Sequence, residues 1–311
     1  MMFRVSLFLR RLVTFAIIFL IFYFLIRSII ANWQKIDFSQ IRFSFSVLGV
    51  SLFFLIASSF LGNFAWCSNL RYLGARIDYF QGLRIIGISQ MGKYIPGKVW
   101  SVGGRIILAK RYNIPEVITS TAILIETISV SLSALVLFLV SLSFFGKSLP
   151  QRFYLSFIFI PLSLFFLHPK ILKKFLILGG KILKREMKVP EMKIGSLLLI
   201  YLIYFVSWLV HTMGFFFLVR SIYPVAFTNL FGVMGSFSFA WVSSAFVIFL
   251  PAGFGVREGV LAFLLRFFLP LPIAALMSFL GRLWTTLGEL VILLLALLLR
   301  SDYEKREEGR S

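Results

Sequence analysis

The sequence predicts an all-α membrane protein with six to eight transmembrane helices, two broken or re-entrant helical regions, and an internal, inverted repeat. Three observations predict it. The chain is 59% hydrophobic with a mean hydropathy of +0.95, whereas a soluble domain averages about 45–50% apolar residues. Apolar runs of about twenty residues, the length a helix needs to cross a bilayer, recur from end to end. Two stretches, GKYIPGKVW (Gly92 to Trp100) and FLPAGFGVREG (Phe249 to Gly259), interrupt those runs with proline, glycine and charge. No polar block is large enough for a separate soluble domain, and the continuous runs exclude the short alternating segments of a membrane β-barrel. Residues 1–299 are therefore read as one polytopic domain, and 300–311 as a charged tail expected to be disordered.

The first thirty residues place arginines before an apolar run, as a signal peptide does. The run is too long and no A-x-A-like pattern follows, so Leu12–Ile30 is read as a retained first span. A second span covers Phe45–Trp66. Asp78–Tyr112 is a broken region around YIPGKVW, and a long span follows at Val117–Phe145. Another is expected at Phe153–His168. The connector Pro169–Lys193 carries eight basic residues against two acidic ones. Its apolar residues recur at helical spacing, which fits an amphipathic helix on an anionic membrane surface or a plain basic loop. Spans resume at Ile194–Val219 and Phe227–Leu250. After the second break a short apolar piece reaches Leu269, and Ile273–Leu299 is the last span.

The two breaks align. Pro96 meets Pro251, Gly104 meets Gly259, and in the same register Pro115 meets Pro270. Each half, about 1–146 and 147–299, then reads as span, span, broken region, span. Matched helix breaks in a duplicated membrane chain point to a transporter's binding site. If each broken region returns to its own side, each half crosses three times and the halves are inverted. Both termini then lie in the cytoplasm, and most of the 32 Lys and Arg residues fall on that side. If the broken regions cross instead, the span count rises toward eight.

The net charge of +20 is thus accounted for by cytoplasmic loops and lipid headgroups, without nucleic acid. A break inside lipid is tolerated only where it is buried in protein or lines a wet cavity. Half-helix N-termini offer free N–H groups and partial positive charge, which suit an anion. Lys93, Lys98, Arg105 and Arg257 add cations, and Pro96, Gly97, Pro251, Gly253 and Gly255 let the backbone open and approach a ligand. These residues, with Glu258, form the candidate site for an anionic headgroup. Arg257 and Glu258 are neighbours in sequence, so on a helix they point about 100° apart.

Three further ionisable residues lie within long spans. Glu126 and Arg282 each sit ten residues into their helix, at nearly equivalent places in the two halves. Glu289 is two turns beyond Arg282 on the same face. A central charge costs roughly 2.5–3.5 kcal/mol, so it is paired or functional. Glu126 and Arg282 are expected to face each other or a shared cavity, as a structural ion pair or as coupling residues.

No catalytic constellation is visible, and an enzyme is not expected: there is no G-x-S-x-G, no P-loop and no His–carboxylate cluster. Cys67 is the sole cysteine, so no disulfide forms within the chain. His168 and His211 lack companions at ligand spacing, so neither a metal nor a cofactor is expected. His211 is read chiefly as a helix-packing residue.

The residues GKYIPGKVWSVGGRIILAKRYNIP with AILIETIS, and later LPAGFGVREGVL with LGRLWTTLGEL, resemble the membrane family related to the flippase domain of lysylphosphatidylglycerol synthase. The resemblance spans roughly Leu48 to Leu299. It implies a multi-pass protein that moves lipids or lipid-linked precursors between leaflets. Pro96, Gly97, Arg105, Glu126, Pro251, Gly253, Gly255, Arg257, Glu258 and Arg282 stand at the family's characteristic positions. Ala252 replaces a common glycine. No aminoacyl-transfer domain follows before Ser311, so lipid lysylation is not implied.

The expected function is an inner-membrane, flippase-like transporter of an anionic phospholipid or polyprenyl-phosphate-linked lipid. The alternative is a non-transporting membrane partner of an envelope-lipid or glycan biosynthesis enzyme, docked through the basic connector. A third, weaker reading is a membrane enzyme acting on a polyprenyl phosphate. The sequence leaves a homo-oligomer open.

Overall fold

A computed structural model describes residues 41–94, 99–144, 165, 168–182, 192–246 and 255–299. Among the described residues there are nine α-helices, three short 3-10 turns and no strand. The helices are α1 (Phe45–Tyr72), α2 (Tyr79–Gln90), α3 (Val99–Arg111), α4 (Glu116–Ser141), α5 (Pro169–Ile182), α6 (Ile194–Arg220), α7 (Leu230–Phe246), α8 (Val256–Leu265) and α9 (Leu271–Leu298). The predicted span Leu12–Ile30, nearly all of Phe153–His168, part of the connector, and the tail lie outside the described residues.

Four helices, α1, α4, α6 and α9, are long and apolar enough to cross a membrane. Each has at least 26 residues, or about 39 Å at 1.5 Å per residue, against a hydrocarbon core of about 30 Å. Exposed leucines on α9, among them Leu283, Leu287, Leu290 and Leu294, form the face such a helix turns to lipid. The chain is a multi-pass membrane protein.

Residues 78–94 and 99–112 of the first broken region are described. Asp78 caps α2: its carboxylate accepts from the Phe80 N–H at 3.0 Å, and the Gln81 side chain accepts from the Asp78 N–H at 3.0 Å. The helix tightens into a 3-10 turn at Met91–Tyr94, and α3 packs back on α2 as a helical hairpin. Asn113, in the left-handed region at φ 58°, ends α3. In the second half, the expected span Phe227–Leu250 takes the form of a 3-10 turn, Phe227–Asn229, and α7. α7 is described as far as Phe246, and the last four residues of the expected span lie outside the described residues. α7 and α8 form a second hairpin.

α1 runs six residues beyond its expected end at Trp66. Its last turns carry Asn69 and Arg71, polar residues that read as a loop. The structure satisfies both: Asn69 Nδ2 donates to the Ala122 carbonyl at 2.9 Å and Arg71 Nε to that of Ile77 at 3.0 Å.

α1 and α6 lie antiparallel along their whole length. Arg42 and Ser44 N–H groups bond to Ile222 and Ser221 carbonyls at one end, and Tyr72 meets Lys193 at the other. Between them, Ser51 donates to Gly214 O at 2.8 Å and Ser207 to Ser58 O at 2.9 Å, small polar contacts that let membrane helices approach closely. α4 packs on α7 of the second hairpin, and α9 packs on α2 of the first. Pro115 and Pro270 each precede their long helix in the same extended conformation, with ψ 142° and 141°. The interior divides into two main apolar cores, one around each hairpin. α5 tucks Leu172 into the first core and exposes Lys170, Lys173 and Lys174.

Candidate functional site

Besides the exposed Lys110–Glu116 contact, three partly or fully buried ion pairs tie the hairpins to the long helices among the described residues. In the first half, Arg105 on α3 reaches Glu126 on α4 at 2.5 Å, with side chains 12% and 24% exposed. The Arg105 guanidinium also lies 4.7 Å from the Trp66 ring centre, a cation–π contact. In the second half, Glu258 on α8 faces Arg282 on α9 at 3.6 Å, both buried. The third pair joins the halves: Lys93, in the turn of the first hairpin, contacts Glu289 on α9.

The local sequence positions these groups. Gly255 caps α8 at φ 87°, a conformation that favours glycine, and its N–H donates to Glu258 Oε2 at 2.6 Å. The Glu258 carboxylate is thereby held in the first turn of α8, where the helix dipole favours negative charge. Arg257, one residue earlier, points elsewhere: its guanidinium lies 4.7 Å from the Phe237 ring on α7. At the first break, a Cβ on Gly92 would come within 2.7 Å of the backbone of Trp100 and Ser101, so glycine lets the two arms close. Gly92→Ala is expected to wedge the arms apart at a cost of about 1–3 kcal/mol. Gly103→Ala, where a Cβ meets nothing within 4 Å, is the neutral control in thermal unfolding.

Glu126 and Arg282 do not pair with each other, one of the two arrangements expected of them. Each takes a partner on the hairpin of its own half, because each faces the short helix that precedes its own. Glu289, two turns along α9 from Arg282, reaches the opposite hairpin. α9 therefore contacts both hairpins through charged groups. Glu258, expected among the ligand-binding residues, is engaged by the Gly255 cap and Arg282. Pro96, Gly97, Lys98, Pro251 and Gly253 lie outside the described residues.

The charged groups gather. Lys93 is within electrostatic reach of Glu289, Arg257 and Arg282, and His211 on α6 is within reach of Arg257 and Lys93. Among the described residues, three cations, Lys93, Arg257 and Arg282, thus meet two carboxylates, Glu258 and Glu289. Aromatic rings line the same region. His211 stacks on Trp208 at 5.6 Å, lies 5.2 Å from Trp284 and 5.5 Å from Phe237, and shares a 3.0 Å hydrogen bond with Ser58. His211 packs as expected, and it also borders the cation cluster, which sequence spacing could not place. The buried Trp284 Nε1 has no hydrogen-bond partner among the described residues. Among those residues, no three His, Cys, Asp or Glu side chains converge as a metal ion would require.

This arrangement gathers cations beside aromatic rings, chemistry that suits an anion. The family model described as the lysylphosphatidylglycerol synthase TM region matches residues 11–298. A comparison with curated proteins gives no match.

Proposed function

Because the chain belongs to the family of lysylphosphatidylglycerol synthase transmembrane regions, we propose that it is a flippase-like transporter that moves an anionic lipid between leaflets. The substrate class is an anionic phospholipid or a polyprenyl-phosphate-linked lipid. The observation that carries this reading is the convergence of three cations, Lys93, Arg257 and Arg282, beside aromatic rings. A phosphodiester headgroup would lie among these cations, with its tails left in lipid.

The two helical hairpins act as re-entrant elements that open from opposite faces. The antiparallel α1–α6 pair supports an inverted repeat, since a two-fold axis in the membrane plane sets equivalent helices in opposite directions. The reciprocal packing of α4 on α7 and α9 on α2 supports the same relation. Six spans with two re-entrant hairpins place both termini in the cytoplasm of an inner membrane, and α5 with its exposed lysines on the anionic leaflet. At this site, Arg257 and Lys93 hold the headgroup, Arg105 joins them from the first hairpin, and the aromatic rings exclude water.

Leaflet exchange in proteoliposomes tests this. The protein is expected to accelerate exchange of fluorescent anionic phospholipid or of a polyprenyl phosphate, but not of a zwitterionic analogue. Absence of exchange with every probe, together with stable co-purification of an envelope-lipid or glycan biosynthesis enzyme, would favour a non-transporting partner. The exposed lysines of α5 would then be the docking surface.

A further inference from the structure

Two ring nitrogens beside the cation cluster have opposite hydrogen-bonding needs. His211, on α6, meets Ser58 Oγ through Nδ1 at 3.0 Å. The single hydroxyl proton of Ser58 is given to the Leu55 carbonyl at 2.7 Å. The Ser58 oxygen therefore accepts from His211, and Nδ1 carries the hydrogen. In a neutral imidazole the other nitrogen is then an acceptor. Among the described residues, His211 Nε2 has no hydrogen-bond partner. Trp284, on α9, presents the reverse need. Its side chain is buried, and its Nε1–H, a donor only, has no partner among the described residues. Trp208, the indole stacked on His211, is satisfied: its Nε1–H donates to Ser238 Oγ at 3.0 Å. Buried polar groups are normally paired, so the unmet needs of His211 and Trp284 point to a missing partner.

Both rings are held in place. A Cβ on Gly214 would come within 2.9 Å of the Trp284 ring, so glycine lets that ring lie against the backbone of α6. His211 is fixed by Ser58 and by its stack on Trp208. The His211 and Trp284 ring centres are 5.2 Å apart. One oxygen bonded at about 2.9 Å to each of two nitrogens sets them no more than about 5.8 Å apart. A single group that both donates and accepts, a hydroxyl, therefore suits the pair. The Arg257 guanidinium lies 4.7 Å from the Phe237 ring centre and His211 lies 5.5 Å from it, so the pair stands next to a cation of the headgroup site.

We propose that His211 and Trp284 select a headgroup that carries a hydroxyl beside its phosphate. The headgroup O–H donates to His211 Nε2, and the same oxygen accepts from Trp284 Nε1–H, while Arg257 and Lys93 hold the phosphate. The proposal rests on the headgroup-site reading and names the chemistry that site selects. The cations retain any anionic lipid, and the two rings discriminate among them. A headgroup of equal charge without a hydroxyl leaves both nitrogens unpaired and is disfavoured for that reason. The hydroxyl belongs either to a polyol phosphodiester of a phospholipid or to a sugar on a polyprenyl phosphate.

Competition between lipids of equal charge tests the proposal on the full chain, with native mass spectrometry reading which lipid is retained. One arm sets phosphatidylglycerol against phosphatidylmethanol with matched tails. The other sets a glycosyl polyprenyl phosphate against a methyl polyprenyl phosphate. The wild type is expected to prefer the hydroxyl-bearing member of one arm by about tenfold, and that arm names the source. Trp284→Phe keeps a ring and loses the N–H, so the preference should fall to about threefold or less. Ser58→Ala leaves both rings and frees the hydrogen to move from Nδ1 to Nε2 of His211, so it should weaken the preference too. Arg257→Gln should lower retention of both members of a pair and keep their ratio. Equal retention by the wild type in both arms overturns the proposal and leaves the two nitrogens to a bound water. An undiminished preference in Trp284→Phe also overturns it, and if that variant fails to fold, an undiminished preference in Ser58→Ala does so. A Trp284-dependent preference in a protein that exchanges no lipid would sink the transporter reading and leave the hydroxyl site standing. Lipid exchange without any preference would do the reverse.

Discussion

Arg282→Ala is expected to lower the thermal stability of the protein more than removal of any other single charge. Glu258 is 1% exposed and Arg282 9%, and the pair ties α8 to α9. Removing one partner of a buried pair leaves an uncompensated charge, at about 3–5 kcal/mol. For a chain of this size the melting temperature should fall by roughly 10 °C. The double variant Arg282→Met with Glu258→Gln should recover most of the loss. The introduced glutamine amide still accepts from the Gly255 N–H, and no buried charge remains. Thermal unfolding in detergent or nanodiscs reads both. A double variant no more stable than the single one would show that the pair is not the source of the loss.

The second large effect concerns the Lys93–Glu289 contact, where a charged pair joins one half's hairpin to the other half's long helix. Their side chains are 28% and 19% exposed, so the pair is worth about 1 kcal/mol rather than the several of a fully buried one. Under the proposed function it is a latch that holds the first hairpin against α9 until a headgroup phosphate takes the place of the Glu289 carboxylate on Lys93. Glu289→Gln should therefore loosen the latch and raise the labelling rate of a cysteine introduced at Ser101 roughly fivefold, the factor that 1 kcal/mol allows. Cys67 is buried and should contribute little background. The swap Lys93→Glu with Glu289→Lys should restore slow labelling. Anionic lipid should not open the swapped pair, since the turn of the hairpin then repels it. Labelling that is unchanged in Glu289→Gln would remove the latch.

Much of this architecture was legible in the residues, because membrane helices announce themselves by length and apolarity. The four described spans begin just after Ser44, Pro115, Lys193 and Pro270, where apolar runs start. The first break was legible because Pro, Gly and Lys cannot continue a buried helix. The extension of α1 to Tyr72 was not legible. Asn69 and Arg71 look like loop residues until the Ala122 and Ile77 carbonyls are seen to accept from them. The opening 3-10 turn at Phe227–Asn229 was hidden as well, since FTNLFGVMGSFSFAWVSSAFVIFL carries no charge or proline to mark it.

The charged residues were legible one by one and illegible in pairs. Glu126, Arg282 and Glu289 stood out because charge is costly in lipid. Which hairpin each would meet depends on how α4 and α9 rotate against their neighbours, and that rotation is decided by packing across the halves. The pair of His211 and Trp284 had a weaker signal. His211 was the usable clue: an imidazole inside an apolar run, with no partner at helical spacing. Trp284 looks like an ordinary packing aromatic until α6 and α9 bring the two rings together.

The central claim is that the cations between the hairpins form a headgroup site. Native mass spectrometry of the purified protein, titrated with equimolar anionic and zwitterionic phospholipid of matched tails, tests it most directly. The wild type is expected to retain the anionic lipid selectively. That selectivity should be lost in Arg257→Gln and Lys93→Gln while folded mass and monodispersity are kept. Equal retention of both lipids by the wild type, or undiminished selectivity in both variants, would contradict the claim.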